Sequence, residues 1–319
     1  MNKRDIVPME PSVSSKVPAG KYFYQVKWDG IRILAFGENS KLYLQGKHLK
    51  DKTRLYPELN VLIEMTKARN FVLDGEIITL QNDIPCFYSL MHRERASAFS
   101  VPSLARIFPV YYMVFDILAL NDEWLLSVPL QERLEILEST LEQESSIFIN
   151  KSFNDGEALL KSVKEKNMEG IVSKHYLSPY IPGPKKSSYW LKTKVERTLK
   201  AYVGGISLKE QRPISLLLGI KGEDDKDAAV VPQVSSKEDL AKGGLLYYVG
   251  SLSSGLREQE LNSWYDWSLA HKINTSPFVN SPSLLGRKII FVEPIKRINV
   301  SFLEWTPSLK LRAPRAQKN

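Results

Sequence analysis

Two runs of strand character, Phe23–Asp29 (FYQVKWD) and Arg32–Phe36 (RILAF), meet at the string Lys27-Trp28-Asp29-Gly30-Ile31-Arg32. A chain that turns at Asp29-Gly30 with apolar residues on both sides is committed to a sheet there. The pattern recurs, and KLYLQ, FVLDGEIITL and VYYMVFDILAL read as further strands. Helical segments alternate with them. One follows Pro57 through Leu59, Leu62 and Ile63, and a second follows Pro129 with Leu130, Leu134, Leu137 and Leu141 on one face. A third runs from Gly156 to about Asn167, just before the strand-like Glu169-Gly170-Ile171-Val172. Ahead of all this, Pro8, Pro11 and Pro18 make the first twenty residues an extended lead-in.

Beyond about Val195 the helical spacing fades. Short apolar runs (YVGGISL, ISLLLGI, LLYYVGSL, KIIFVEPI, NVSFLEW) alternate with turn-forming residues, which predicts a small β-barrel. The polar segment from Lys221, KGEDDKDAAVVPQVSSKEDLAKGG, reads as an exposed insertion. The expectation is an α+β chain with a mixed α/β domain over 1–196 and a barrel domain over 197–319.

Charge and cysteine content narrow the setting. Lys and Arg outnumber Asp and Glu by 44 to 36, a formal charge of +8 that favours a polyanionic partner. The single cysteine, Cys86, sits in the apolar run Ile84–Tyr88, so it reads as a packed side chain, and a chain without an internal disulfide suits a reducing compartment. His48, His92, His175 and His271 lack metal-ligand spacing, which speaks against a zinc site. No stretch reaches membrane-spanning length and the N-terminus has no signal-peptide core, so a cytoplasmic, non-membrane protein is expected.

Four strings follow the lysine string in order: Leu73-Asp74-Gly75-Glu76, Val114-Phe115-Asp116-Ile117-Leu118, Glu169-Gly170-Ile171-Val172-Ser173-Lys174 and Trp190-Leu191-Lys192-Thr193-Lys194. Each alone has a plain structural reading: a turn, an aromatic in a core strand, a pair of solvated lysines. In this order, behind a KxDGxR string, they resemble the nucleotidyltransferase superfamily of ATP-dependent DNA ligases, RNA ligases and mRNA capping enzymes. Within it the chain most resembles the compact ligases of bacterial end-joining systems. That likeness spans nearly the whole sequence, including TRLYPEL, IPCFYSLMHR, SLLLG, YYVGSLSSG, SPF and FLEWTPSLKLRAP.

The resemblance implies an adenylation (nucleotidyltransferase) domain followed by an OB-fold barrel. It implies ATP as substrate, AMP carried covalently on Lys27, and Mg2+ or Mn2+ held by Glu76 or Glu169. Lys192, Lys194 and Glu169 would be catalytic with Lys27, and Lys174 would belong to the nucleotide site. Phe115 would stack on adenine, Arg32 would touch the sugar, and Glu76 would take the ribose hydroxyls. Gln25 stands where these ligases often carry a glutamate against the adenine amino group, and an amide oxygen accepts the same hydrogen bond.

The chemistry gives reasons for these residue types. An attacking lysine must be neutral, yet its ordinary pKa is about 10.4, and lowering it by about three units takes about 4 kcal/mol. Lys192 and Lys194, two apart in a strand, would point at one site and supply positive charge beside an α-phosphate.

The sequence departs from the resemblance at two places. Gly46-Lys47-His48-Leu49 replaces Ser-Arg-Asn-Gly, so Lys47 stands for an arginine that touches AMP or DNA, without its two-pronged grip. Leu311–Asn319 does not reach the family's final Arg-x-Asp-Lys segment, which orients the leaving pyrophosphate, and offers Arg312 and Arg315 instead. The expected partner is nicked duplex DNA, with recruitment by a Ku-like end-binding protein, in a monomer associated with the bacterial nucleoid. Two other readings are open. An RNA ligase or GTP-using capping enzyme shares the lysine strings, and a non-catalytic nick-binding module would suit the missing terminal segment.

Overall fold

Val110–Leu120 is rich in β-branched and aromatic residues, and in the computed structural model it is the strand on which one sheet is built. The structure describes residues 6–81, 84–144, 146–166, 168–183, 186–221, 245–280, 282, 286–303, 305–306 and 308–317. Residues 222–244 of the polar segment expected to be an insertion lie outside the described residues. The chain divides into two compact units, one ending at Val195 and the other beginning at Glu196.

In chain order the first unit runs β1 (Glu10–Val13), β2 (Tyr22–Lys27), β3 (Ile31–Glu38), β4 (Lys41–Gly46), α1 (Leu62–Met65), β5 (Asn70–Gln81), β6 (Ile84–Pro85), α2 (Phe87–Glu94) and α3 (Val101–Ile107). It continues with β7 (Val110–Leu120), β8 (Glu123–Trp124), α4 (Leu130–Thr140), β9 (Ile147–Ile149), β10 (Ser152–Phe153), α5 (Gly156–Glu165), β11 (Gly170–His175) and β12 (Lys186–Lys194). One sheet has the order β4-β3-β5-β7-β8, with β6 on β5 and β9 on β7; the other has the order β1-β12-β11-β2-β10.

Leu34, Phe36, Val72 and Leu118 of the first sheet pack with Trp190 of the second and with Met9 just before β1, so the two sheets share one buried layer. The stripe Leu130, Leu134, Leu137 and Leu141 is buried against β7, as its spacing predicts. Arg133 interrupts that stripe, fully buried, and grips the equally buried Asp116 of β7 through Nε at 2.7 Å and Nη2 at 2.9 Å. On the outer side of the second sheet, Leu159 and Val163 of α5 cover Tyr24 and Ile171. The lead-in is extended, and its Glu10–Val13 segment joins the sheet as a parallel edge beside β12, a place that tolerates Pro11.

The second unit comprises β13 (Arg197–Lys209), β14 (Arg212–Ile220), β15 (Tyr247–Leu252), α6 (Glu258–Ala270), β16 (Lys288–Phe291), β17 (Arg297–Phe302) and β18 (Arg315–Ala316). The strand order is β15-β14-β13-β17-β18, with β16 on β13. The two ends of this sheet meet. Ala316 donates its N–H to Ser254 just past β15, at 2.9 Å, and Leu311 donates to Val249 at 2.7 Å, closing a small barrel around Val203, Ile206, Leu218 and Val300.

Helix α6 was not visible in the sequence. Leu261, Trp264, Tyr265 and Trp267 pack partly buried on the barrel core, while its most buried position is Ser268 and Leu269 is exposed. Among the described residues no helix is long and apolar enough to cross a membrane.

Candidate active site

Strand β11 lies between β2 and β12, and the register sets Gly170 opposite both Lys27 and Lys194. Glu169 immediately precedes Gly170, so its carboxylate falls between the two lysines. Lys27 Nζ donates to Oε2, and Lys194 Nζ is 2.8 Å from Oε1. Burial works to raise the Glu169 pKa, but the two ammonium groups outweigh it and hold the carboxyl below its usual range. The glycine is required. Gly170 has φ +151°, and a Cβ there would collide with the Thr193 carbonyl of the neighbouring strand.

The turn after Lys27 is equally tight, because a Cβ on Gly30 would meet the carbonyl of Ile77 on β5. Past it, β3 pairs Arg32 with Glu76. The Arg32 guanidinium forks onto Asp74, Nε to Oδ1 at 2.9 Å and Nη2 to Oδ2 at 2.5 Å, and gives Nη1 to the Met9 carbonyl at 2.5 Å. Tyr180 donates its hydroxyl to Asp74 at 2.7 Å. Glu76, half-buried, is pushed up to about 8, mainly by burial, with Lys27 and Arg32 opposing.

These strands enclose a cleft of about 390 Å³ between the sheets. Gln25, Lys27, Arg32, Lys47, Glu76, Phe115, Lys174 and Lys192 all line it, so eight of the ten residues expected from sequence share one cavity. Glu169 joins it through its ion pair to Lys27, and Lys194 through its own ion pair to Glu169. Lys174 is buried, with Nζ 4.2 Å from the Phe115 ring centre, 4.1 Å from that of Trp190 and 3.1 Å from the Phe115 carbonyl it donates to. Burial pushes its pKa down to about 7. Lys47 reaches Glu10 at 2.7 Å, and that bond lowers the Glu10 pKa.

Gln25 is buried at 1% exposure. Its Nε2 donates to the Asn150 carbonyl at 3.2 Å and to Ser152 Oγ at 3.0 Å, while its Oε1 has no partner among the described residues. Asn150, Glu10, Asp74 and Trp190 were not singled out by sequence. Asp74 and Trp190 stand inside the quoted strings, whereas Asn150 is a lone polar residue after Ile147–Ile149 and carries no signal of its own. Among the described residues no three His, Cys, Asp or Glu side chains gather as a metal site; Glu10 and Glu76 line the cleft, and Glu169 reaches it through Lys27.

Residues 9–194 match the family described as "ATP dependent DNA ligase domain" and residues 215–319 the "ATP dependent DNA ligase C terminal region". The multifunctional non-homologous end joining protein LigD of Mycolicibacterium smegmatis is 28% identical over 97% of this chain, which spans only 38% of that protein. DNA ligase C1 of the same organism is 29% identical, covering 81% of this chain and 77% of its own length. The crystal structure of the ligase domain from M. tuberculosis LigD superposes with a TM-score of 0.54 at 25% identity, over 99% of this chain and 95% of that one. A mycobacterial DNA ligase D complexed with ATP and MES gives 0.54 at 26% identity, over 100% and 96%.

Proposed function

The chain belongs to the ATP-dependent DNA ligase family, and from that premise we propose that it seals 5′-phosphate/3′-hydroxyl nicks in duplex DNA through AMP carried on Lys27. The observation that carries this reading is the Lys27–Glu169–Lys194 cluster at the edge of a cleft with an unpartnered acceptor, Gln25 Oε1, for a base amine. The chemistry of the cleft fits an adenine nucleotide. Phe115, partly exposed to the cleft, suits the base, and Lys192 and Lys194, on the same side of β12, suit an α-phosphate.

In the first step the Lys27 amine attacks the α-phosphorus, a nitrogen–phosphorus bond forms, and pyrophosphate leaves. Glu169 holds Lys27 in place before the step, the attacking amine gives up its proton to solvent, and Lys194 and Lys192 neutralise the phosphate charge. Position and charge do most of the work. AMP then passes to the 5′-phosphate of the nick, and the 3′-hydroxyl expels it. Arg32 contacts the nucleotide sugar, Glu76 the ribose hydroxyls, Lys174 the base pocket and Lys47 the AMP or DNA phosphate.

Glu76 and Glu169 are hard oxygen donors of the kind Mg2+ or Mn2+ takes together with substrate phosphates, and such an ion supplies charge neutralisation at the α-phosphate. A monomer acting in DNA end joining beside the bacterial nucleoid, recruited by a Ku-like end-binding protein, completes the proposal. LigD bears an end-joining name, and this chain spans 38% of it.

The test is transfer of label from ATP marked on its α-phosphate to the protein, with Mg2+, followed by a chase with nicked DNA. The native chain takes label and releases it as the nick closes, and Lys27→Ala takes none. Label on neither chain, with pre-adenylylated nicks left open, sinks the reading. Preference for GTP or for nicked RNA points instead to the capping or RNA-ligase alternative.

A further inference from the structure

Two amides beside Lys27 are each fixed in orientation by partners of one kind. A carbonyl only accepts, so the contact of Gln25 with the Asn150 carbonyl at 3.2 Å must come from Nε2, and Ser152 Oγ at 3.0 Å holds the same nitrogen. That leaves Oε1, buried on a side chain that lines the cleft and without a partner among the described residues. A buried acceptor in this state costs stability until a donor reaches it.

Asn150 is itself locked. Its Nδ2 donates to the Val26 carbonyl and its Oδ1 accepts from Trp28 Nε1, both at 3.1 Å, and its backbone N–H donates to Val114 of β7 at 2.7 Å. Neither amide can turn over without setting like against like.

We propose that Asn150 is a positioning residue: its side-chain clamp on Val26 and Trp28 fixes its backbone carbonyl, which with Ser152 aims the Gln25 oxygen at the base and sets how strongly the cleft prefers a 6-aminopurine nucleotide. The proposal rests on the adenylyl-transfer reading above. A 6-amino group donates to Oε1, a 6-oxo group meets it acceptor to acceptor, and an unsubstituted C6 leaves it unpaired. It follows that a carboxylate is no conservative replacement at this position. In Gln25→Glu an oxygen replaces Nε2 against the Asn150 carbonyl, so the carboxylate must swing away and give up its aim.

The test compares label transfer to the full chain from α-labelled ATP, GTP and purine riboside triphosphate, which lacks the 6-amino group. The native chain favours ATP over the purine analogue by at least about tenfold in kcat/KM, the scale of one buried hydrogen bond. Gln25→Glu and Asn150→Asp reduce that ratio toward unity, chiefly through KM for ATP, and Ser152→Ala reduces it by about threefold, the scale of a weaker neutral hydrogen bond.

Ser152→Ala keeps the Asn150 clamp and so covers the case in which Asn150→Asp fails to fold. An ATP preference that Gln25→Glu retains, or an equal loss of transfer from every nucleotide across the variants, overturns the proposal. A native chain that takes label from no nucleotide overturns the adenylyl-transfer reading itself, a separate result.

Discussion

Lys174 is a buried amine between two aromatic faces, and it makes the cleft pH-sensitive at the level of one residue. Its pKa in the folded protein is about 7 against an ordinary 10.5, with burial the largest cause. Between these values the unfolded chain holds a proton that the folded chain lacks, so stability rises with pH across that window. Below about pH 7 both states are protonated and the burial penalty is full. Lys174→Met should therefore stabilise the fold most near about pH 6 and progressively less toward about pH 9.5, with each tenfold difference in proton affinity between the two states amounting to about 1.4 kcal/mol. Urea midpoints of the two proteins at both pH values check this, and a difference that does not change with pH refutes it. The residues of the cleft were largely legible as types in a fixed order. What the order could not convey is engagement, such as the Arg32 guanidinium forked onto Asp74, because an ion pair between strands leaves no trace in local sequence.

Among the elements, β11 carries the greatest constraint because its first residue packs backbone against backbone. Gly170→Ala would bring a Cβ onto the Thr193 carbonyl at φ +151°, so it should cost about 2–4 kcal/mol and displace Glu169 from both lysines. Label transfer to Lys27 should fall by about a hundredfold, as it does when reacting groups lose alignment. Gly183 is the control. It has φ +129°, a Cβ added there would meet nothing within 4 Å, and Gly183→Ala should cost about 1 kcal/mol with transfer intact.

The TRLYPEL and MHR strings find a different use. Arg93, fully buried on α2, holds Glu58 at 2.6 and 3.0 Å, the Leu55 carbonyl at 2.7 Å and the Phe108 carbonyl at 3.0 Å. Arg93→Met should cost about 3–5 kcal/mol, the penalty for stranding a buried partner. Label transfer per folded molecule should hold, and its loss in a fully folded variant would show that these strings serve the chemistry. Strands were readable because alternation and β-branched content are local signals. Helix α6 was not, since Ser268 occupies its most buried position and its tryptophans are only partly covered.

For the whole molecule, the decisive quantity is charge. On the proposed function, a chain at +8 with a cleft bordered by Lys27, Arg32, Lys47 and Lys192 would meet nicked DNA through phosphate contacts, which carry little sequence information and release counterions. Sequence composition made the net charge legible, whereas its concentration at one site depends on contacts far apart in the chain, as when Gly170 brings Lys27 and Lys194 together. Nick binding should accordingly be weak and strongly salt-dependent. If only two phosphates are neutralised, affinity should drop by about tenfold between roughly 50 and roughly 200 mM salt, and more for each further contact. Fluorescence anisotropy with a labelled nicked duplex reads this directly, using duplexes of unrelated sequence to show that the slope is shared. Salt-resistant nanomolar binding by the chain alone would contradict both the phosphate-contact account and the dependence on a recruiting end-binding partner, whereas a steep slope that an added Ku-like protein offsets would support both.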